Sequence, residues 1–376
     1  MTLLDRVLQR PLTWRVVWML AVALHVAYVL APFDVLHPVD AHALGRAVLE
    51  GEVPYRDFAL EYPPGAIFAF LLPGLAPSGI APQVLALQAV VCEVLTWLVL
   101  RDEAPRRRFV LFSLFLFPLL SGGFDAVAML GVAASTALLG RNDDRGWWIA
   151  AAGAAVKIFP GIAWAWMTRW GRTGVVALLV TLVVLAAPLA LGSGRDVYIG
   201  YHVERGVQQE SLAASAHHLA ARLTGDEVDI EYRFRAQEVV GAETTGTVAL
   251  VVFGALAVVM AVRIRLRPVD LDPWLLALAF MLVVLCGSKV LSPQFIVLAL
   301  PLAVGAGGAW AVAYLPIAML SMAAFLDKTK GTQFMDVVLV RNVLFLGMAV
   351  AAAHRVLTAP SSSRDDAVAA PARASG

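Results

Sequence analysis

The chain has 376 residues, 60% of them hydrophobic and only 15% charged, with a mean hydropathy of +0.76. A soluble domain carries roughly a quarter of its residues as charges to cover its surface, so this composition excludes one and points to an integral membrane protein. The formal net charge of +1 removes any global basic bias toward nucleic acid, and no nucleic-acid-binding motif is present.

A bilayer core about 30 Å thick takes roughly 20 apolar residues per helix. The N-terminal MTLLDRVLQRPLTWR places Arg6, Arg10 and Arg15 ahead of the first apolar run, 14–32, which is expected to be an uncleaved first helix. Residues 33–80 form a first polar loop. Within it, 39–50 (VDAHALGRAVLE) put Val39, Ala43 and Ala47, with Leu44 or Val48, on one face and Asp40, Arg46 and Glu50 toward water, predicting a helix that lies along the membrane surface. The stretch GEVPYRDFALEYPPG follows as a hook stiffened by prolines, since each fixes its own φ and drives the preceding residue out of the helical region.

Further full-length spans are expected at 82–100, 123–140, 174–192, 246–263, 274–290, 292–308, 309–326 and 336–356. Three apolar pieces are short: 64–77, 109–121 and 147–168, the last broken at VKIFPG. Short or proline-broken segments survive at membrane depth only where protein or a water-filled cavity satisfies their backbone, so these pieces are expected to line a site. The expected fold is an all-α polytopic bundle of about 10–12 membrane segments, some short or re-entrant. One domain would cover 1–357, and the Ala/Pro/Ser-rich 358–376 would be a disordered cytoplasmic tail. Cys92 and Cys286 lie in apolar runs, where a thiol acts as a small hydrophobe, so no disulfide is expected.

Orientation follows from the arginines in short loops: RDEAPRRR, RNDDR, TRWGR and RIRLR join the N-terminal arginines on the cytoplasmic side. The first loop, the turn near Asp125, the long segment 193–245, GSKVLSPQF and DKTKGTQFMD are then outside. With both termini inside, 64–77 cannot cross completely and 147–168 must enter and return. No segment repeats at a fixed period, which gives an inverted-repeat transporter no support.

Charges near membrane depth cost at least a few kcal/mol and are usually paired or functional. Asp125 in GGFDAVAML, Lys157 in AAVKIFPG and Lys289 in GSKVLSPQF are of this kind, with lysine snorkelling as the alternative. Two lysines, an inward aspartate and the outer carboxylates of the hook suit a substrate that carries phosphate and hydroxyl groups. His217 and His218 lack a second ligand set, so a surface helix is expected there rather than a metal site. No Walker sequence is present, and the cytoplasmic loops are too short for a nucleotide-sugar pocket, so any donor must come from the lipid or the outer face.

LEGEVPYRDFALEYPPG, GGFDAVAML, AAVKIFPG and SPQFIVLALPL, in this order, resemble the polytopic glycosyltransferases of family 87, polyprenyl-phosphate-mannose-dependent α-mannosyltransferases of the GT-C superfamily, over roughly residues 10–356. The resemblance implies an inverting transfer of a hexose, mannose above all, from a polyprenyl-phosphate sugar to an envelope glycolipid or glycan acceptor at the outer face of the plasma membrane. It implies an aspartate of the first outer loop as general base. That aspartate's position, about fourteen residues before Gly51, is His37 here. The nearest acids are Asp34 and Asp40; Asp40, which begins the surface helix, is the expected base, with Asp34 and His37 as alternatives. Tyr55, Arg56, Asp57 and Glu61 match the hook and are expected to position the loop and acceptor hydroxyls, beside Asp125, Lys157 and Lys289 as substrate-binding groups. Two other readings stand beside this one: a transporter or flippase of a lipid-linked or polar solute, and a non-catalytic relative.

Overall fold

The computed structural model describes residues 2–31, 41–121, 123–191, 198–200, 203–234, 236–327 and 332–361. Asp34, His37 and Asp40 lie outside them, as does the predicted tail from 362 onward. The chain folds as a helical bundle: α1 (Leu3–Leu8), α2 (Pro11–Leu30), α3 (Ala41–Leu49), α4 (Ile67–Leu75), α5 (Ala81–Val99), α6 (Glu103–Ser121), α7 (Asp125–Leu139), α8 (Arg145–Val156), α9 (Ala163–Trp166) and α10 (Gly171–Ala186). It continues with α11 (Leu212–Thr224), α12 (Glu243–Leu266), α13 (Pro273–Gly287), α14 (Ile296–Gly305), α15 (Gly308–Leu326) and α16 (Thr332–Thr358). Six helical segments among the described residues are long and apolar enough to cross a membrane.

Burial explains why the chain needs both long and short helices. α2 and α12 expose side chains such as Trp18, Met19, Val26, Val251 and Val258, a surface that water would not tolerate but lipid solvates. α13 and α14 are shorter and apolar all round, and nearly every residue in them is buried, so they form the centre of the bundle rather than its lipid-facing wall.

The full-length spans expected at 123–140, 274–290 and 292–308 are short helices instead, α7 and α13 of 15 residues each and α14 of 10, and two further expectations need correction. The piece expected at 109–121 is a 19-residue helix that begins at Glu103, because Arg106, Arg107 and Arg108 continue the helix instead of ending in a loop. Their side chains find partners there: Arg107 Nη1 donates to the Leu8 carbonyl at 2.7 Å, and Arg108 bonds Asp5 at 2.7 Å and the Val304 carbonyl at 3.0 Å. Arg263 and Arg265 likewise donate to the carbonyls of Ala359 and Trp164. The basic residues thus satisfy helix C-terminal carbonyls at one end of the bundle, where the helix dipole favours cations. At this basic end the burial of Asp5 would raise its carboxyl pKa, but the Arg108 and Thr2 hydrogen bonds outweigh it and hold the group at about 2.

The second correction concerns the helix of the first loop. Its inward side is Ala41, Leu44, Gly45 and Val48, and Ala43 is exposed. Close approach to α4 rotates it. A Cβ on Gly45 would lie 2.1 Å from the Phe70 carbonyl oxygen, and one on Gly74 would lie 2.5 Å from the Gly45 carbonyl carbon. Only two glycines allow these backbones to touch, the small-residue packing that membrane helices use in place of a hydrophobic drive. Gly45→Val is expected to lower stability by about 1–3 kcal/mol through overpacking. Thermal unfolding in detergent checks this, and an unchanged midpoint would mean that the contact carries no weight.

The segment between α10 and α12 was expected to be a long polar stretch with a surface helix. It contains α11 and a three-stranded antiparallel sheet of β1 (Val207–Gln208), β2 (Ile230–Arg233) and β3 (Ala236–Val239), in the order β1-β3-β2. α11 is not a free surface helix. His218 is buried, with Nε2 3.4 Å from Asp336 of α16, and Arg222 bonds the same carboxylate at 2.8 Å. No group of three or more His, Cys, Asp or Glu among the described residues could hold a metal.

Candidate functional site

The hook is held closed by its own backbone and by one buried ring. Tyr55 has φ +67°, a left-handed conformation that costs a non-glycine residue about 1–3 kcal/mol and persists only where the surroundings impose it. Here its N–H donates to the Phe58 carbonyl at 2.9 Å, its ring is buried edge-on to Tyr198, and its hydroxyl donates to the Tyr62 carbonyl. Burial, with Tyr198 beside it, pushes the phenol well above its ordinary pKa, so it stays a neutral donor.

Arg56 and Asp57 face outward and pair with each other at 2.7 and 2.9 Å, while Asp57 also accepts from the Val53 N–H at 2.8 Å. The Arg56 hydrogen bonds, with that of Val53, hold the Asp57 carboxyl at about 2. Asp57 is therefore committed to the turn. Glu61 is half-buried at the exit of the hook.

The second half of the hook leads to the intramembrane charges. Pro64–Ala66 form one 3-10 turn, and a Cβ on Gly65 would lie 2.7 Å from the backbone of Ala155, so the hook rests against the helix that carries Lys157. Tyr62 and Phe70 both stack edge-on to Phe124, at 4.8 and 5.2 Å between centroids. The next residue is Asp125, the first residue of α7, and it pairs with Lys157 at the C-terminal cap of α8.

Both charges sit where helix dipoles favour them, the carboxylate at an N-terminus and the ammonium at a C-terminus. The side chains retain only 7% and 11% exposure, which rules out snorkelling for Lys157. The Lys157 ammonium lies 4.2 Å from the centre of the Phe295 ring and 5.5 Å from that of Phe124. The helix stops at Lys157 because Pro160 has no N–H with which to continue the ladder.

Four stretches distant in sequence thus meet here: the hook, the Asp125 turn, the Lys157 break and the SPQF segment. Lys289 does not join them. It lines a separate cavity with the sheet and the start of α12.

Other buried polar residues form contacts elsewhere in the bundle, without a motif that marks them in the sequence. Ser292 and Gln208 bond each other at 2.8 Å, and Tyr314 donates to the Ile296 carbonyl. Arg341, fully buried in α16, bonds Asn342 and the Glu210 carbonyl. Asn342 in turn donates to Ser211 and Ser215 at the start of α11. His25 and Glu93 form another buried pair at 2.8 Å between α2 and α5. The signal in the sequence was a lone charge inside an apolar run: Arg341 in VVLVRNVLF and Glu93 in VVCEVLT.

Six helical segments able to span a membrane, short broken helices between them, and a buried acid–lysine pair roofed by aromatic rings define an integral membrane protein with a polar site at one end of its bundle. The sequence profile of glycosyltransferase family 87 matches residues 60–293, more than half of the chain, and the protein belongs to that family. It is a membrane glycosyltransferase. The match contains Glu61, Asp125, Lys157 and Lys289. None of the curated proteins and none of the solved structures compared with the chain matches it.

Proposed function

We propose that the protein moves a hexose, mannose in the first instance, from a polyprenyl-phosphate donor to a hydroxyl of an envelope glycolipid or glycan, at the outer face of the plasma membrane. The observation that carries this reading is the Asp125–Lys157 pair, buried under Phe124 and Phe295 and tied through Tyr62 to the hook. A buried ammonium with one carboxylate as its counter-ion among the described residues can exchange that partner for a phosphate, and the arginine-rich opposite end supports an outer position for the hook by the positive-inside rule.

In this scheme the acceptor oxygen attacks the anomeric carbon while its proton passes to a carboxylate of the first loop. The bond from the anomeric carbon to the phosphate oxygen breaks on the opposite face, the electron pair leaves with polyprenyl phosphate, and the configuration inverts. Lys157 stabilises the leaving phosphate, the place where charge develops. Asp40 is the proposed base, with Asp34 and His37 as the competing assignments. The hook orients the acceptor; little else is required, because phosphate is already a good leaving group.

Reconstituted protein given radiolabelled polyprenyl-phosphate-mannose and a membrane glycolipid extract is expected to label the extract. Asp40→Asn is expected to cut the rate by about 10²–10⁴-fold, as loss of a general base does, with Asp34→Asn and His37→Gln far milder. If the wild type transfers nothing from mannose, glucose or arabinose donors yet moves labelled lipid across the bilayer, the proposal is wrong and the buried charges belong to a transport path.

A further inference from the structure

The cavity beside Lys289 has a volume of about 160 Å³. Its lining includes the buried Glu238 and Val239 of β3 and the half-buried Gly206 just before β1, and its rim includes exposed groups such as Arg233 and Glu243, so it opens to the surface. A cavity of about 150 Å³ holds one six-membered ring.

Two features of this cavity are costly to the fold by itself. Glu238 is only 4% exposed, yet among the described residues its Oε1 has no hydrogen-bond partner and pairs only loosely with Arg205 Nε, at 3.8 Å. In the strand register Glu238 also stands directly opposite Glu231, a like-charge pair that destabilises a sheet. The carboxylate is given its place deliberately, since a Cβ on Gly206 would lie 2.7 Å from Glu238 Oε2. Across the cavity, the Lys289 ammonium makes no hydrogen bond or ion pair among the described residues. An acceptor and a donor are thus held ready around a space the size of one ring.

Charge decides what kind of ring. Among the described residues that line it, the cations Arg205, Arg233 and Lys289 face the carboxylates of Glu204, Glu231, Glu238 and Glu243, three against four, with no surplus of positive charge to hold an anion. A neutral, hydroxyl-rich ring satisfies both kinds of group, donating to carboxylates and accepting from the cations. We propose that this cavity binds one neutral sugar unit of the acceptor, away from the Asp125–Lys157 pair; that the bound molecule is an acceptor rests on the transferase reading above. It would hold a unit remote from the reacting hydroxyl, so its binding energy would set acceptor choice rather than the chemical step.

Saturation-transfer NMR on the full chain in nanodiscs, with methyl α-mannopyranoside as probe, is expected to show binding. Glu238→Gln and Lys289→Met are each expected to raise its dissociation constant about tenfold, the usual effect of losing one charged hydrogen bond. Arg233→Ala, an exposed change that leaves the fold undisturbed, is expected to weaken it less. In the transfer assay Glu238→Gln should raise the acceptor KM by a similar factor and leave the donor KM unchanged. Absence of binding to the wild type, equal binding by all variants, or displacement by inorganic phosphate would each overturn the proposal. Sugar binding lost in Glu238→Gln, in a protein that transfers nothing, would leave the cavity assignment standing and remove the transferase reading instead.

Discussion

Lys157→Met is expected to reduce the proposed glycosyl transfer by about 100- to 1,000-fold, the cost of removing one preorganised donor from a developing negative charge. The same change leaves the buried Asp125 carboxylate without its partner and should destabilise the protein by about 3–5 kcal/mol. These effects must be separated, because an unfolded enzyme is also inactive. The double variant Asp125→Leu with Lys157→Met separates them, since replacing a buried ion pair by apolar groups of similar volume is neutral or stabilising. It is expected to regain the wild-type unfolding temperature in detergent and to remain inactive. Transfer restored together with stability would show that the pair is a strut and that the phosphate is held elsewhere.

Arg341→Met is expected to lower stability by as much, about 3–5 kcal/mol, for a different reason. Arg341 is completely buried, with Glu210, itself buried, as its counter-charge. With Asn342 it grips the residues that begin α11, where Ser211 Oγ already accepts from the Ala214 N–H at 3.0 Å as the N-cap. Loss of the guanidinium removes a buried charge from beside Glu210 and the bond to the Glu210 carbonyl, and loosens the anchorage of α11 and the sheet. Limited proteolysis should then cut within 203–242 at protease levels that spare the wild type, alongside a lowered unfolding temperature. Unchanged cleavage would mean that Asn342 alone holds the segment.

The sequence by itself determined the all-α membrane bundle, six of the nine expected full-length spans apart from their ends, the shortness of the apolar piece 64–77 and the break at Lys157. Each of these depends on local physics: the length of an apolar run against the bilayer, the dihedral limits of proline, and the positions of arginines in short loops. It also singled out Asp125 and Lys157, because a charge in an apolar run is costly wherever it lies.

Only the tertiary structure decided who partners whom. Asp125 and Lys157 are 32 positions apart, and their pairing depends on α7 and α8 lying side by side. The direction faced by α3 was misjudged because the Gly45–Gly74 contact, rather than hydrophobic periodicity, sets its rotation. Lys289 was grouped with Lys157 on charge alone, whereas α13 ends beside the sheet and places it in another cavity. The sheet was missed because its strands are two to four residues long, too short for alternation to register, and it is held in place by Arg341 and Asn342, more than a hundred residues further along the chain. Hydropathy records how deeply each segment is buried; which buried charges meet depends on packing between segments far apart in sequence.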